Sequence, residues 1–188
     1  MAARLTARSR ALAAAVLAAA VLVAGCGASG ESPSLPADGP AGPTPAAAPG
    51  SGPAAVRARE ALDSALGRAG LAVAPSAIPY RPAEVEALAS APRTVYQVTL
   101  PTETEPRFVV AYTFPTDAAA DAAARDQAAY LESGPGRVQS PLGTEHVLRR
   151  LGAAVIYYQW LPASTTDPAA IDLAGALRTL GIAFDVRN

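Results

Sequence analysis

The chain has 188 residues, of which 51% are apolar and 16% are charged, and its formal net charge is −1. Lysine is absent, and because three of the fifteen arginines precede the single cysteine, Cys26, twelve basic and sixteen acidic residues follow it. This weakly acidic composition excludes the basic surface that nucleic acid or anionic lipid headgroups need, and one cysteine excludes both an internal disulfide and a zinc site built on several thiolates.

The first 26 residues have the pattern of an export signal. Arg4, Arg8 and Arg10 precede an uninterrupted apolar run from Ala11 to Ala24, which is the order of the charged and hydrophobic regions in a secretory signal peptide. At ~1.5 Å per residue, a helix of this run spans about 21 Å, less than the ~30 Å hydrocarbon core of a bilayer. A removable signal is therefore favoured over a permanent transmembrane helix.

The apolar run ends in Val23-Ala24-Gly25-Cys26, which resembles the lipobox of bacterial lipoproteins, with Val23 where leucine is more usual. The resemblance covers residues 1–26 and implies that signal peptidase II removes residues 1–25. It also implies that the Cys26 thiol carries diacylglycerol and that its amino group receives a further acyl chain such as palmitate. Since two acyl chains hold a protein stably on a membrane, the resemblance implies an exported, membrane-anchored protein, on the inner or the outer membrane. The alternative is an ordinary signal peptide whose removal leaves Cys26 free.

Residues 26–53 are expected to be the lipidated cysteine followed by a disordered linker. The stretch from Gly27 to Pro53 contains seven prolines and six glycines among 27 residues, and Leu35 is its only large apolar side chain. Such a composition does not form a core. A flexible coil of this length spans about 30 Å on average, so the linker is expected to act as a spacer between the membrane and a folded domain.

Residues 54–188 are predicted to form one α+β domain. The first half of the domain is predicted to contain a helix over 53–70, a short helix over 82–91, and strands over 94–100 and 107–114. A helix capped by Thr116 or Asp117 follows and ends at Ser133. The second half is predicted to contain strands over 145–151 and 153–161, a helix that begins at Asp167-Pro168 and ends at Gly181, and a short strand over 182–186. Two hairpin–helix units therefore follow each other, and an internal duplication is left open. This order predicts an antiparallel sheet of four or five strands with helices packed mainly on one face.

The motifs of common catalytic sites are missing from the sequence. It has no Gly-x-Ser-x-Gly, Ser-x-x-Lys, His-Glu-x-x-His or P-loop pattern, and Cys26 is assigned to lipid. His146, the only histidine, begins a predicted strand and is expected to be a partly exposed strand residue rather than a general base. We therefore predict no catalytic residue, no metal site and no cofactor.

Two acidic residues form the main alternative to this prediction. Glu103 and Glu105 flank Thr104 in the first hairpin turn. In that position they are candidates for a Ca²⁺ site or for the acid/base pair of a hydrolase, which needs two carboxyl groups ~5–10 Å apart. The commoner interpretation is that they are solubilising charges on a loop tip.

Five aromatic residues are the candidate binding surface: Tyr96, Tyr112, Tyr157, Tyr158 and Trp160. If helices cover only one face of the sheet, part of this set faces outward, and exposed Tyr and Trp are typical of glycan- and protein-binding surfaces. Arg149 and Arg150 are expected to add a charged rim. The alternative is that the rings fill the core.

The sequence thus favours a non-enzymatic, membrane-anchored domain that binds a protein or an envelope polymer. A carboxylate-based hydrolase of envelope glycan is one alternative. A carrier of lipid or another small molecule, which needs a closed apolar pocket of several hundred Å³, is another. Nucleic acid is not an expected partner.

Overall fold

The computed structural model describes residues 50–187. The helices are α1 (Pro53–Arg68), α2 (Glu86–Ala89), α3 (Asp117–Glu132), α4 (Gly134–Gln139) and α5 (Ala169–Arg178), and the strands are β1 (Val73–Pro75), β2 (Arg93–Val98), β3 (Arg107–Thr113), β4 (Glu145–Leu151), β5 (Ala154–Trp160) and β6 (Ile182–Phe184). The predicted signal peptide, the lipobox residues Val23, Ala24 and Gly25, Cys26 and the linker up to residue 49 lie outside the described residues. None of the helices within 50–187 is both long enough and apolar enough to cross a bilayer.

The predicted α+β class is confirmed, and the sheet has six strands rather than four or five. Its order is β1-β2-β3-β5-β4-β6, and every neighbouring pair is antiparallel. The two predicted hairpins, β2–β3 and β4–β5, lie side by side at its centre. The strand that the sequence did not predict is β1, which pairs Val73 with Val98; its three residues are too few to show an alternating pattern.

Helices cover both faces of the sheet, which corrects the expectation that they pack mainly on one. Because successive strand residues point to opposite faces, β3 contributes Val109 and Ala111 to one core and Val110 and Tyr112 to the other. The first core is closed by α1 and α5, and the second by α2 and α3. Coverage on both sides explains the continuous apolar sequence of β5, which is typical of a strand buried on two faces.

The two hairpin–helix units differ in three dimensions. After the first hairpin the chain enters α3, which packs on the second core, whereas after the second hairpin it enters α5, which packs on the first. The two hairpins are related by a two-fold rotation about an axis normal to the sheet, and such a rotation does not exchange the two faces. If the units were equivalent, α3 and α5 would therefore lie on the same face. The two units therefore share an order of elements but not a common arrangement.

Local hydrogen bonds explain where the longer helices begin. The Thr116 hydroxyl accepts a hydrogen bond from the Ala119 N–H at 3.1 Å, so the predicted cap of α3 is confirmed. Ahead of α5, Asp167 Oδ1 accepts from the Ala169 N–H at 2.9 Å. The Gly-Pro-Gly sequence directly after Ser133, where α3 was predicted to end, opens α4, because proline is tolerated in the first turn of a helix.

The segment between β1 and β2 is fixed to the second core by buried polar groups. Glu84, whose side chain is 4% exposed, accepts hydrogen bonds from the Tyr112 hydroxyl at 2.5 Å and from Arg93 Nη1 at 2.9 Å. Gln127 on α3 is fully buried; it accepts from the Val85 N–H and donates to the Ala83 carbonyl, both at 2.8 Å. These bonds hold an irregular segment in one position over the sheet.

Candidate functional site

The five aromatic residues expected to form a binding surface lie in the interior. Their exposed fractions are 3% for Tyr96, 0% for Tyr112, 1% for Tyr157, 1% for Tyr158 and 6% for Trp160. They are divided between the two cores because helices cover both faces of the sheet. The prediction that part of this set faces outward is therefore wrong. These rings fill the core, as the alternative interpretation held.

Arg149 and Arg150 also have structural partners in place of the expected binding rim. Arg149 donates from Nε to the Leu180 carbonyl at 2.5 Å and from Nη2 to the Gly181 carbonyl at 3.0 Å, so it satisfies backbone groups just beyond the end of α5. Arg150 Nε lies 3.3 Å from Asp121 Oδ1 on α3. Both side chains connect β4 to neighbouring elements.

His146 lies in a chain of hydrogen bonds on the second face of the sheet. Its Nδ1 is 2.9 Å from the Tyr157 hydroxyl, which is 3.0 Å from Gln159 Oε1, and Gln159 Nε2 is 3.3 Å from the Tyr80 hydroxyl. Burial lowers the pKa of His146 and so favours the neutral imidazole. The half-buried strand position expected from the sequence is confirmed. The described partner of the ring nitrogen is a phenol rather than a nucleophile or a carboxylate.

Two loops meet at the end of the sheet where β5 ends and β3 begins. The first runs over residues 99–106 and the second over residues 161–168. The Thr165 hydroxyl donates a hydrogen bond to Glu103 Oε1, and the Thr102 N–H donates to Asp167 Oδ2 at 2.7 Å. These two bonds join loops that are more than sixty residues apart in the sequence.

The joined loops border a polar groove with a volume of about 480 Å³, which we name the loop groove. It is lined by Thr102, Glu103, Thr104, Glu105, Pro106, Arg107, Ser164 and Thr166. The second loop also lines a smaller hollow of about 190 Å³, the tryptophan hollow, which is bordered by Trp160, Pro162, Thr165, Thr166, Asp167, Pro168 and Ile171. Thr166 contributes to the lining of both cavities. We name the two together the loop corner.

The carboxylates at the loop corner are held in the ionised form. The hydrogen bond from Thr165, followed by the contact with Arg107, lowers the pKa of Glu103. The pKa of Asp167 is lowered mainly by the backbone N–H of Thr102. Because a general acid at neutral pH needs a raised pKa, this environment suits a fixed acceptor of hydrogen bonds better than a proton donor.

The predicted pair Glu103 and Glu105 is divided between two environments. Glu103 Oε2 lies 2.8 Å from Arg107 Nε and 2.5 Å from Arg107 Nη2, so it is charge-paired and ordered. Glu105 is exposed on the turn, as a solubilising charge would be. Across the part of the chain that the structure describes, no cluster of three or more His, Cys, Asp or Glu side chains is arranged to hold a metal ion.

Two buried donors near the end of β5 have no hydrogen-bond partner among the described residues. They are the Tyr158 hydroxyl and the Trp160 indole N–H. Trp160 lines the tryptophan hollow, and Tyr158 is close enough to Arg107 and Glu103 for their charges to act on its hydroxyl. Leaving a buried donor without a hydrogen-bond partner costs roughly 1–3 kcal/mol of stability. Two such donors in one strand are unusual for a core, where nearly all buried polar groups are hydrogen-bonded.

Sequence reasoning singled out some residues of this corner but not the corner itself. Glu103 and Trp160 were considered separately, because they are 57 positions apart and belong to different hairpins. Asp167 was read as a helix cap, which it is, but its second bond to Thr102 depends on how the sheet brings the two loops together. Nothing in the sequence around Thr165 and Thr166 distinguishes them from other loop residues, so their place in this corner could not be predicted.

Comparison with known proteins gives no match, whether to a protein-family model, to a curated protein or to a solved structure. The function therefore has to be argued from the residues of this chain. Two features bear on it: the lipobox-like sequence at Cys26 and the loop corner.

Proposed function

We propose that this chain is an exported lipoprotein, anchored to a bacterial membrane through lipid on Cys26, whose α+β domain binds a protein or an envelope polymer. The anchor is supported by Cys26, the only cysteine, at the end of a charged and then apolar N-terminal sequence. The proline- and glycine-rich sequence between Cys26 and α1 is proposed to give the domain reach from the membrane surface.

The single observation that supports binding is the loop groove with its ordered ion pair. Within residues 50–187, helices cover both faces of the sheet, which leaves the loops as the surface proposed for binding. The loop groove instead presents hydroxyl groups from Thr102, Thr104 and Ser164 beside the Glu103–Arg107 pair. A concave site with a few fixed polar groups is the usual form of a specific binding site.

Binding is favoured over hydrolysis by the state of Glu103. A glycan hydrolase of the common type needs one carboxyl group that stays protonated near neutral pH. Thr165 and Arg107 lower the pKa of Glu103 instead. A carrier of apolar molecules is less favoured, since hydroxyl and charged groups dominate the lining of the groove.

The proposal is tested by differential capture from an envelope extract. The full-length chain, immobilised through a C-terminal tag, is compared with Glu103→Gln and with Glu60→Gln, which makes the same chemical change at an exposed position on α1. We expect one or more envelope components to be retained by the parent chain and by Glu60→Gln but depleted at least several-fold on Glu103→Gln. Equal retention on all three chains, with all three folded by circular dichroism, would count against binding at the loop groove.

A further inference from the structure

We infer that the loop corner binds a saccharide, one that is neutral or carries amino groups rather than phosphate or carboxylate groups. The inference rests on the proposed binding function and specifies its ligand. It is drawn from four features of the corner: its hydrogen-bonding groups, its apolar surface, its charge and its unpaired donors.

The loop groove offers the mixture of donors and acceptors that sugar hydroxyls require. A sugar hydroxyl both donates and accepts. The Thr104 hydroxyl can meet either demand, and the Ser164 hydroxyl, which already donates to a backbone carbonyl at 2.9 Å, can still accept. Glu103 Oε1 takes one hydrogen bond from Thr165 and keeps a second lone pair. Arg107 has five N–H donors, of which its contacts with Glu103 use two. Because the ion pair is already ordered, a ligand does not have to immobilise it.

The tryptophan hollow supplies the apolar part of such a site. Its wall includes Pro162, Pro168 and Ile171, and Ile171 is 63% exposed. The C–H face of a sugar ring is apolar and packs on aliphatic and aromatic side chains, while its hydroxyl groups point outward to polar partners. An oligosaccharide that crosses the second loop at Thr166 would contact both cavities.

The charge of the corner selects among saccharides. The loop groove contains two carboxylates, Glu103 and Glu105, and one guanidinium, Arg107, and Asp167 lies beside it with a lowered pKa. A ligand rich in phosphate or uronate groups would meet more negative than positive charge. Neutral or amino-bearing sugars meet no such repulsion.

The unpaired donors are a second and independent sign of a ligand at this place. The Trp160 side chain, more than nine-tenths buried, lines the hollow, and its indole N–H has no partner among the described residues. The Tyr158 hydroxyl likewise has no partner among the described residues. A ligand hydroxyl bonded to the indole N–H would offset the cost of leaving that donor unpaired.

The test uses Trp160 as a reporter, because it is the only tryptophan in the chain. The full-length chain in a zwitterionic detergent is titrated with three probes while the tryptophan emission is followed. The probes are a β-1,4-linked tetramer of N-acetylglucosamine, the same tetramer without acetyl groups, and a tetramer of galacturonic acid. We expect a saturable change in emission with at least one of the first two probes and none with the third.

Variants locate the binding. Glu103→Gln and Arg107→Gln should each weaken the responding probe roughly tenfold, as expected for the loss of a charge-assisted hydrogen bond. Glu60→Gln, at an exposed position on α1, should leave the titration unchanged. An unchanged affinity in both groove variants would overturn the assignment to the loop corner, as would a response that requires millimolar probe and is not saturable.

The outcome also separates this inference from the proposed function. If neither of the first two probes changes the emission, while an envelope protein or peptide is captured in a Glu103-dependent way, the saccharide class is wrong and the binding function stands. If the acidic tetramer binds most tightly, the charge argument is wrong. If neither sugar nor extract component depends on Glu103, both proposals fail.

Discussion

The Tyr112 hydroxyl lies 2.5 Å from Glu84 Oε2, which joins the C-terminal end of β3 to a carboxylate with 4% of its side chain exposed. Arg93 and Arg81 approach the other carboxylate oxygen at 2.9 and 2.5 Å. Burial and the neighbouring negative charge both raise the pKa of Tyr112, so the phenol stays protonated and donates. A buried charge with several donors is tolerated only because each partner is present.

We predict that Glu84→Ala lowers the free energy of unfolding by about 3 kcal/mol, because it leaves Arg93 and the Tyr112 hydroxyl buried without their acceptor. Urea denaturation followed by circular dichroism measures the change. The matched control is Glu86→Ala, which removes an exposed carboxylate two residues away and should alter stability by less than about 0.5 kcal/mol. Equal effects of the two substitutions would show that the buried network is not important for stability.

Gly181 and Gly175 provide a second matched pair, with opposite predicted signs. Gly181 has φ of +39°, and a Cβ at this position would lie 2.0 Å from the Arg150 carbonyl oxygen. Gly181→Ala should therefore destabilise the domain by about 3 kcal/mol. Gly175 lies within α5 with nothing within 4 Å of an added Cβ, so Gly175→Ala should stabilise it by up to about 1 kcal/mol. Thermal denaturation of both variants checks the signs; a neutral Gly181→Ala would contradict the tight approach of β4 to this turn.

The connection between the two loops should depend on pH in a defined direction. The pKa of Asp167 is below its ordinary value of 3.8, and that of Glu103 is below 4.5. Their contribution to stability is therefore fully present above those values and is lost as the pH falls through the lower pKa values of the folded state. The Thr102 amide proton, which is bonded to Asp167, should show an NMR chemical-shift titration with its midpoint below 3.8.

The control for this titration is Asp167→Asn, which keeps an oxygen acceptor but does not ionise. It should abolish the acid shift of the Thr102 amide while leaving that amide hydrogen-bonded at neutral pH. A midpoint at or above 3.8 in the parent chain would show that the carboxylate is not held by the Thr102 N–H.

Most of the secondary structure could be predicted because its signals are local. Alternation in β2 and β3, the glycine at 152 with φ of +58°, and the Thr116 cap each depend on a few neighbouring residues. Strand β1 could not be predicted from the sequence, because its three residues form a strand only through their pairing with β2. The short helix α4 was not predicted, because it begins with a Gly-Pro-Gly sequence and such a sequence usually ends a helix.

The placement of helices on both faces could not be predicted from the same signals. The continuous apolar sequence of β5 is typical of a strand covered on two sides, but its aromatic residues also fit a strand with one exposed face, which is the arrangement predicted from the sequence. Which face α3 and α5 occupy depends on the path of the chain between elements rather than on residue type. The loop corner depends on that path as well, since Glu103 and Thr165 are 62 residues apart in the sequence and are brought together by the pairing of the strands.

The central claim, that the chain is a lipoprotein anchored at Cys26, is tested most directly by intact mass spectrometry of protein extracted from membranes of the producing cells. We predict that the mature chain begins at Cys26 and carries the added mass of a diacylglyceryl group and of a further acyl chain on its amino group, and that Cys26→Ala carries neither and leaves the membrane fraction. A membrane-extracted chain with an unmodified Cys26 thiol would contradict the claim.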